Sequence, residues 1–276
     1  MMKKLLMTCA ALLLAACGGE APPEQTAAPA AIEASSGSEA AVEASAPETA
    51  IVEYVWHKKG ENFSDEALDE LSAYWAGIVD EGDIQMNAAV VITPRFESDN
   101  FDFIWVMLWP SQEARDQGWA VWTESYEAGW AERIDGIFSY SVDSVFPFAP
   151  TPGRAPSVPN TAADGVSEYM FCTLAEGRTM DDVMAFGAEH NDFVDQWEAN
   201  DGAGGYWWAI LTPNFTVPEE GGFDYAWFNG WTNEAERQAG WAAYSQSPHA
   251  ALVAENGSCT DPAVFDGQVI YTRPSA

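Results

Sequence analysis

Positive charge is scarce in this sequence. Eleven Lys and Arg stand against 43 Asp and Glu, giving a net charge of −32. So acidic a surface repels phosphate backbones and anionic headgroups, which sets nucleic-acid binding aside. Two readings of the charge stand: solubility in salty surroundings, or a basic partner. Histidine is scarcer still, with only His57, His190 and His249. There is no H-E-x-x-H, no C-x-x-C, no G-x-S-x-G and no phosphate loop. Zinc hydrolysis, serine-triad chemistry and nucleotide binding therefore have no support, and no metal site is read. The spacing of the four cysteines is not that of a metal motif. What is abundant is apolar surface. Hydrophobic residues make up 47% and aromatic residues 13%, with 13 Trp, enough for a sizeable core.

The first residues read as an export signal rather than as fold. Met1 to Lys4 is a short basic segment, and Leu5 to Leu14 is apolar. That run is too short for the ~20 helical residues a bilayer span needs. It ends in Leu14-Ala15-Ala16-Cys17, which resembles the lipobox of bacterial lipoproteins. The resemblance implies cleavage after residue 16 and acylation of Cys17. The lipid bilayer is then a partner, since several acyl chains hold a protein where a single chain is marginal. Gly18 in place of Asp implies, by the same resemblance, the outer membrane, with the domain in the periplasm. Residues 17–50 carry Ala, Pro, Glu and Ser with no aromatic, the composition of a disordered tether. Cys9 leaves with the signal and Cys17 takes lipid. Cys172 and Cys259 remain, and two cysteines in an exported domain are expected to pair.

The rest of the chain is written twice. "EYVW" at 53–56 returns as "EYMF" at 168–171, and "SDEALDELSAYWAGIV" at 64–79 aligns without a gap on "TMDDVMAFGAEHNDFV" at 179–194. "VITP" at 91–94 returns as "ILTP" at 210–213, "FDFIWVMLW" at 101–109 as "FDYAWFNGW" at 223–231, and "EARDQGWAVW" as "EAERQAGWAAY". Each copy predicts a strand, a helix capped by Ser64 or Thr179, two strands, a helix capped by Ser111 or Asn233, and a last strand near 139–148 or 264–273. The boundaries follow: a first unit at 51–150, a Pro-rich linker at 151–165 and a second unit at 166–276.

The order β-α-β-β-α-β is that of a ferredoxin-like unit. Two such units in one chain resemble the dimeric α+β barrel superfamily, in which two sheets press together. The fold class expected is α+β, tandem ferredoxin-like units forming a pseudo-dimeric barrel. The superfamily holds antibiotic-biosynthesis-type monooxygenases, haem-degrading enzymes and stress-responsive proteins. The resemblance implies a ligand between the helices and the sheet of one unit, and haem as a cofactor of some members. No residue pattern here demands a cofactor.

Residues kept in both copies are expected to serve the fold. Arg115, Trp119 and Trp122 match Arg237, Trp241 and Tyr244 on one helix face. Each arginine reads as stacked on indole, or alternatively as an anchor for an anionic ligand. Gly118 and Gly240 read as points of close helix–sheet approach, and Asp102 and Asp224 as turn residues rather than general bases. Residues that differ are the better functional candidates: Trp75 becomes His190, Met107 becomes Asn229, Arg95 becomes Asn214 and His57 becomes Cys172. A candidate pocket in the second unit is lined by His190, Asn229, Trp227 and Phe186, with Trp75 and Met107 filling the same place in the first. His190 reads either as a hydrogen-bonded core residue or as a ligand, metal-binding or acid–base group. Two functions stand. One is a membrane-anchored envelope lipoprotein, a binding or structural module for a small apolar or aromatic ligand. The other is an oxidative enzyme of the monooxygenase kind, cofactor-free or haem-dependent. Replacing Cys17 by Ala is expected to leave the protein unprocessed or soluble. Fractionation of the variant with the membranes, processed as in the wild type, would overturn the lipobox reading.

Overall fold

Alternation of large apolar residues produces the strands, and a polar residue at each helix start produces the breaks between them. The structure is a computed structural model. It describes residues 49–159, 164–201, 204–219 and 221–274. Cys17, the signal segment and nearly all of the tether lie outside the described residues. The first half contains β1 (Ile51–Lys59), α1 (Asp65–Glu81), β2 (Ala88–Pro94), β3 (Phe103–Trp109), α2 (Gln112–Ser125), α3 (Glu127–Ile134) and β4 (Phe138–Arg154). The second half contains β5 (Asp164–Leu174), α4 (Met180–Asp201), β6 (Trp207–Pro213), β7 (Tyr225–Trp231) and α5 (Glu234–Ser245). A 3-10 turn (Pro248–Leu252), α6 (Val253–Asn256), β8 (Gly257–Cys259) and β9 (Ala263–Thr272) complete it.

Each half makes an antiparallel sheet of the same topology, β4-β1-β3-β2 and β9-β5-β7-β6. The two sheets join edge to edge through β2·β9 and β4·β6. The result is a closed barrel of eight strands, with β8 added beside the far end of β5. The fold is therefore α+β, two tandem ferredoxin-like units forming one pseudo-dimeric barrel. Closure removes the unpaired edges that each half-sheet would expose.

The period of two splits every strand between two environments. Val52, Tyr54 and Trp56 of β1 point into the barrel with Ile104, Val106 and Leu108 of β3, and meet Tyr169, Phe228 and Phe265 of the second unit. The alternate residues face the helices. In the first unit that outer layer packs Trp75 of α1 and Trp130 of α3 on Trp105 and Met107. In the second it packs Val183, Val194 and Trp197 of α4 on Trp208, Trp227 and Trp231.

Several sequence expectations meet their structural counterparts here. Ser64, Ser111 and Asn233 cap α1, α2 and α5, each side chain accepting from a backbone N–H three residues on. Thr179 and Asp182 cap each other at the start of α4, with Thr179 N–H donating to the carboxylate at 2.8 Å. Others differ. β4 does not stop near 148; it continues to Arg154, and β5 begins at Asp164, so the supposed linker is strand at both ends. The reason is partnership. The proline-containing stretch 148–154 pairs with β6 of the other unit after β4 has finished with β1. The short helix α3 follows α2 in the first unit, and the 3-10 turn and α6 stand after α5 in the second. Neither is marked by the repeat.

Gly118 and Gly240 do permit close approach. A Cβ on Gly240 would stand 2.5 Å from the Trp231 ring, and one on Gly118 2.6 Å from Trp109. Gly240→Ala is therefore expected to destabilise the protein by about 1–3 kcal/mol through overpacking, despite the better helix propensity of Ala. Urea unfolding measures this, and an unchanged or raised midpoint would show that the helix moves away freely.

Candidate functional site

The repeated face of the second helix covers a buried carboxylate in each unit. Glu53 and Glu168 occupy equivalent positions in β1 and β5, and neither has any exposed surface. Each forms an ion pair with the arginine of the repeat, Glu53 with Arg115 and Glu168 with Arg237. Indole N–H groups saturate the remaining lone pairs. Trp109 and Trp119 donate to Glu53 at 3.2 and 2.8 Å, and Trp231 and Trp241 donate to Glu168 at 3.0 and 2.8 Å. The arginines are thus ion-paired to a strand carboxylate; the stacking read from the sequence is replaced by this arrangement. Burial pushes the Glu53 carboxyl up, and the Arg115 charge with the indole hydrogen bonds opposes that rise. Taking away one partner of such a pair costs about 3–5 kcal/mol, because the other charge is left buried.

Above this shared base the halves diverge. In the first unit Trp75 and Met107 fill the space between helix and sheet, and a void of only about 40 Å³ remains. In the second a cavity of about 250 Å³ lies in the same layer, walled by His190, Asn229, Trp227 and Phe186 together with Tyr244 and Trp241. The four residues read from the sequence as a pocket are brought together. Helical spacing on α4 places Phe186 and His190 there, and the period of two on β7 places Trp227 and Asn229.

One hydrogen-bonded chain crosses this wall. Asn229 Nδ2 donates to Glu168 at 3.3 Å. Asn229 Oδ1 accepts from Trp227 Nε1 at 3.0 Å and from the Tyr206 hydroxyl at 2.8 Å. Tyr206 in turn is 2.9 Å from His190 Nε2. Tyr206 immediately precedes β6, and the repeat gave no sign of it. Burial takes its hydroxyl well above the ordinary tyrosine range, and the Glu168 charge adds to the rise. Burial lowers His190 to about 3, helped by the nearby His249 and Arg154 charges. The imidazole is neutral at pH 7.

The remaining candidates have structural posts. Cys172 and Cys259 form a disulfide that ties β8 to β5, closing a loop of 87 residues beside the cavity. In the chain-entropy picture such a loop contributes roughly 4–5 kcal/mol. His57, the counterpart of Cys172, donates from Nδ1 to the Val55 carbonyl at 2.8 Å and stacks on Phe103. Burial lowers it to about 3. Asp102 and Asp224 each accept a backbone N–H from the end of the first strand of their unit, at 2.8 and 2.7 Å. Arg95 bridges the units by pairing with Asp266 and Glu234. Its counterpart Asn214 meets Gln112 at 3.1 Å, so an ion pair on one side of the pseudo-dimer is an amide pair on the other.

Haem can be tested against this site. Pockets for drug-sized ligands run to roughly 300–1,000 Å³, and the cavity here, at about 250 Å³, lies below that range and is tight for a porphyrin. Arg237 and Arg154, the nearby cations, are already paired with carboxylates. Among the described residues no group of three or more His, Cys, Asp or Glu could hold a metal ion, and no helix is long and apolar enough to cross a membrane.

No family model and no curated protein matches the chain. Solved structures do. A mutant chlorite dismutase from Candidatus Nitrospira defluvii aligns over 80% of this chain and 92% of its own, with a TM-score of 0.50 and 8% identity. A second mutant of the same enzyme gives the same TM-score at 7% identity. A protein assigned only provisionally as a monooxygenase, from Lactobacillus acidophilus, aligns over 81% of this chain and 95% of its own at 12% identity, with a TM-score of 0.45. At such identities the likeness to the chlorite dismutase speaks for the fold alone.

The two depressed histidines fix a pH dependence. Each binds a proton more readily in the unfolded chain, so each contributes stability that is complete above pH ~6.5 and is lost as the pH falls toward 3. The loss is on the order of 3–5 kcal/mol per histidine at full protonation. Urea midpoints measured from pH 7 to pH 4 are expected to fall, and less steeply in His190→Phe. Equal slopes for variant and wild type would show that His190 is solvated.

Proposed function

We propose that the protein is an enzyme whose second unit binds a small uncharged ring compound and oxidises it with molecular oxygen and without haem, the first unit being its structural counterpart. One oxygen atom enters the ring, and the other leaves as water with electrons that the compound itself supplies. One observation carries the reading. At the same place in two copies of one fold, Trp75 and Met107 fill the first copy, whereas the second opens into a cavity crossed by a polar chain. An aromatic-walled space with a few convergent polar groups is the usual form of a small-molecule site. The oxidative class comes from analogy of fold with the solved neighbours, and fold alone does not fix a reaction. The chain's residues bind and orient. The rings of Trp227, Phe186 and Tyr244 sandwich the compound and exclude water, and Asn229 and Tyr206 hold the imidazole of His190 in place.

A second reading has its own support. An imidazole lowered to about 3 is a weak base, better at accepting a hydrogen bond than at keeping a proton. That favours a binding module in the cell envelope. For either reading we propose a lipid anchor at Cys17 and a periplasmic domain on the outer membrane, supported by the lipobox-like segment.

An oxygen electrode and calorimetry, run with a panel of small ring compounds, separate these readings. Oxygen uptake that needs the compound and falls at least tenfold in His190→Phe is the expected result. Binding without uptake supports the module. Absence of both in a folded protein removes the site.

A further inference from the structure

The partners of the polar chain leave no freedom in where its protons lie. Glu168 is ion-paired to Arg237 and can only accept, so Asn229 must turn its NH2 toward it. Trp227 can only donate, which agrees with Asn229 Oδ1 on its side. Asn229 Oδ1 and the Tyr206 oxygen are 2.8 Å apart, and the only proton available between them is that of the hydroxyl. With that proton used, the 2.9 Å contact between Tyr206 and His190 Nε2 needs a proton from the imidazole. His190 is therefore the Nε2–H tautomer, and Nδ1 carries a bare lone pair. That nitrogen has virtually no exposed surface and no partner in the protein; its ring is part of the cavity wall, so a ligand's donor reaches it by displacing the wall beside it rather than through open space. A buried acceptor without a donor costs free energy that a bound donor would recover.

We infer that the cavity selects ring compounds that donate a hydrogen bond, N–H or O–H, to His190 Nδ1, and that Tyr206 is the positioning residue that sets this preference by fixing the tautomer. The inference rests on the reading of the cavity as a ligand site. It excludes two classes that an aromatic wall would otherwise admit. Acceptor-only rings put a lone pair against a lone pair. Anions meet a neutral imidazole with the buried Glu168 carboxylate behind it, and Arg237 is already engaged. His249 is the competing donor. Its ring lies 5.3 Å from that of His190, and its Nε2 is likewise without a partner. It stands on the 3-10 turn beside the cavity, stacked on Phe186 at 4.5 Å.

The probes are pairs matched in size: indole against benzofuran, and phenol against fluorobenzene. Calorimetry on the full chain is expected to show the donor of each pair binding about tenfold more tightly, the scale of one unsatisfied buried acceptor. In Tyr206→Phe the imidazole is free to carry its proton on either nitrogen, and the gap is expected to shrink below about threefold. His249→Phe is expected to keep the gap. Equal binding within each pair, a gap that survives Tyr206→Phe, or one that vanishes in His249→Phe would overturn the inference while leaving the cavity a ligand site. If none of the four compounds binds, the ligand reading itself falls and the inference falls with it. Nitrogen-15 NMR of labelled histidine supplies a check free of ligand: Nε2–H at His190 is expected, and Nδ1–H would overturn the assignment even if Tyr206→Phe fails to fold.

Discussion

A carboxylate with no exposed surface under the second helix of each unit governs the outer layer of this protein. Glu53 and Glu168 must be neutralised where they stand, and the helix above supplies one arginine and one indole to do it. A third-strand indole supplies the rest. This fixes the helix in rotation and height, and Gly118 and Gly240 are the positions where that height leaves no room for a methyl group. The conserved-looking phrase of the repeat is therefore one half of a contact whose other half is a single acid in a distant strand.

The same carboxylate orients the cavity of the second unit. Glu168 turns Asn229, Asn229 turns Tyr206, and Tyr206 turns His190. In the first unit the chain cannot start, because Met107 stands where Asn229 would and offers no amide. The void there is about 40 Å³, room for little more than a water or two. Duplication thus kept the support twice, while the lining over it diverged.

Much of the barrel was legible because period and repeat are local properties. The ungapped match of 64–79 to 179–194 put His190 opposite Trp75, and alternation in β7 put Asn229 and Trp227 on the helix side. What escaped was long-range. Glu53 and Glu168 are charges inside apolar strands in both copies, a visible anomaly, but their partners lie 62 and 69 residues away. Tyr206 precedes a strand and belongs to no periodic pattern. The Pro-rich stretch at 148–154 looked like a linker because proline breaks ladders, yet each proline needs only one unpaired N–H side. The cysteine pair, by contrast, required only arithmetic.

β9 is the last strand among the described residues, and it lies between β2 and β5, one edge from each unit. Val90 is paired with Val269, so the ring cannot be shut until β9 has been made. Before that moment β2 and β5 each offer a bare backbone edge, the condition in which sheets recruit foreign strands. The duplicated halves are consequently not spare parts for one another. A gene cut at its midpoint would yield two open sheets rather than two small domains. Loss of β9 would do more damage than one deletion in any surface loop.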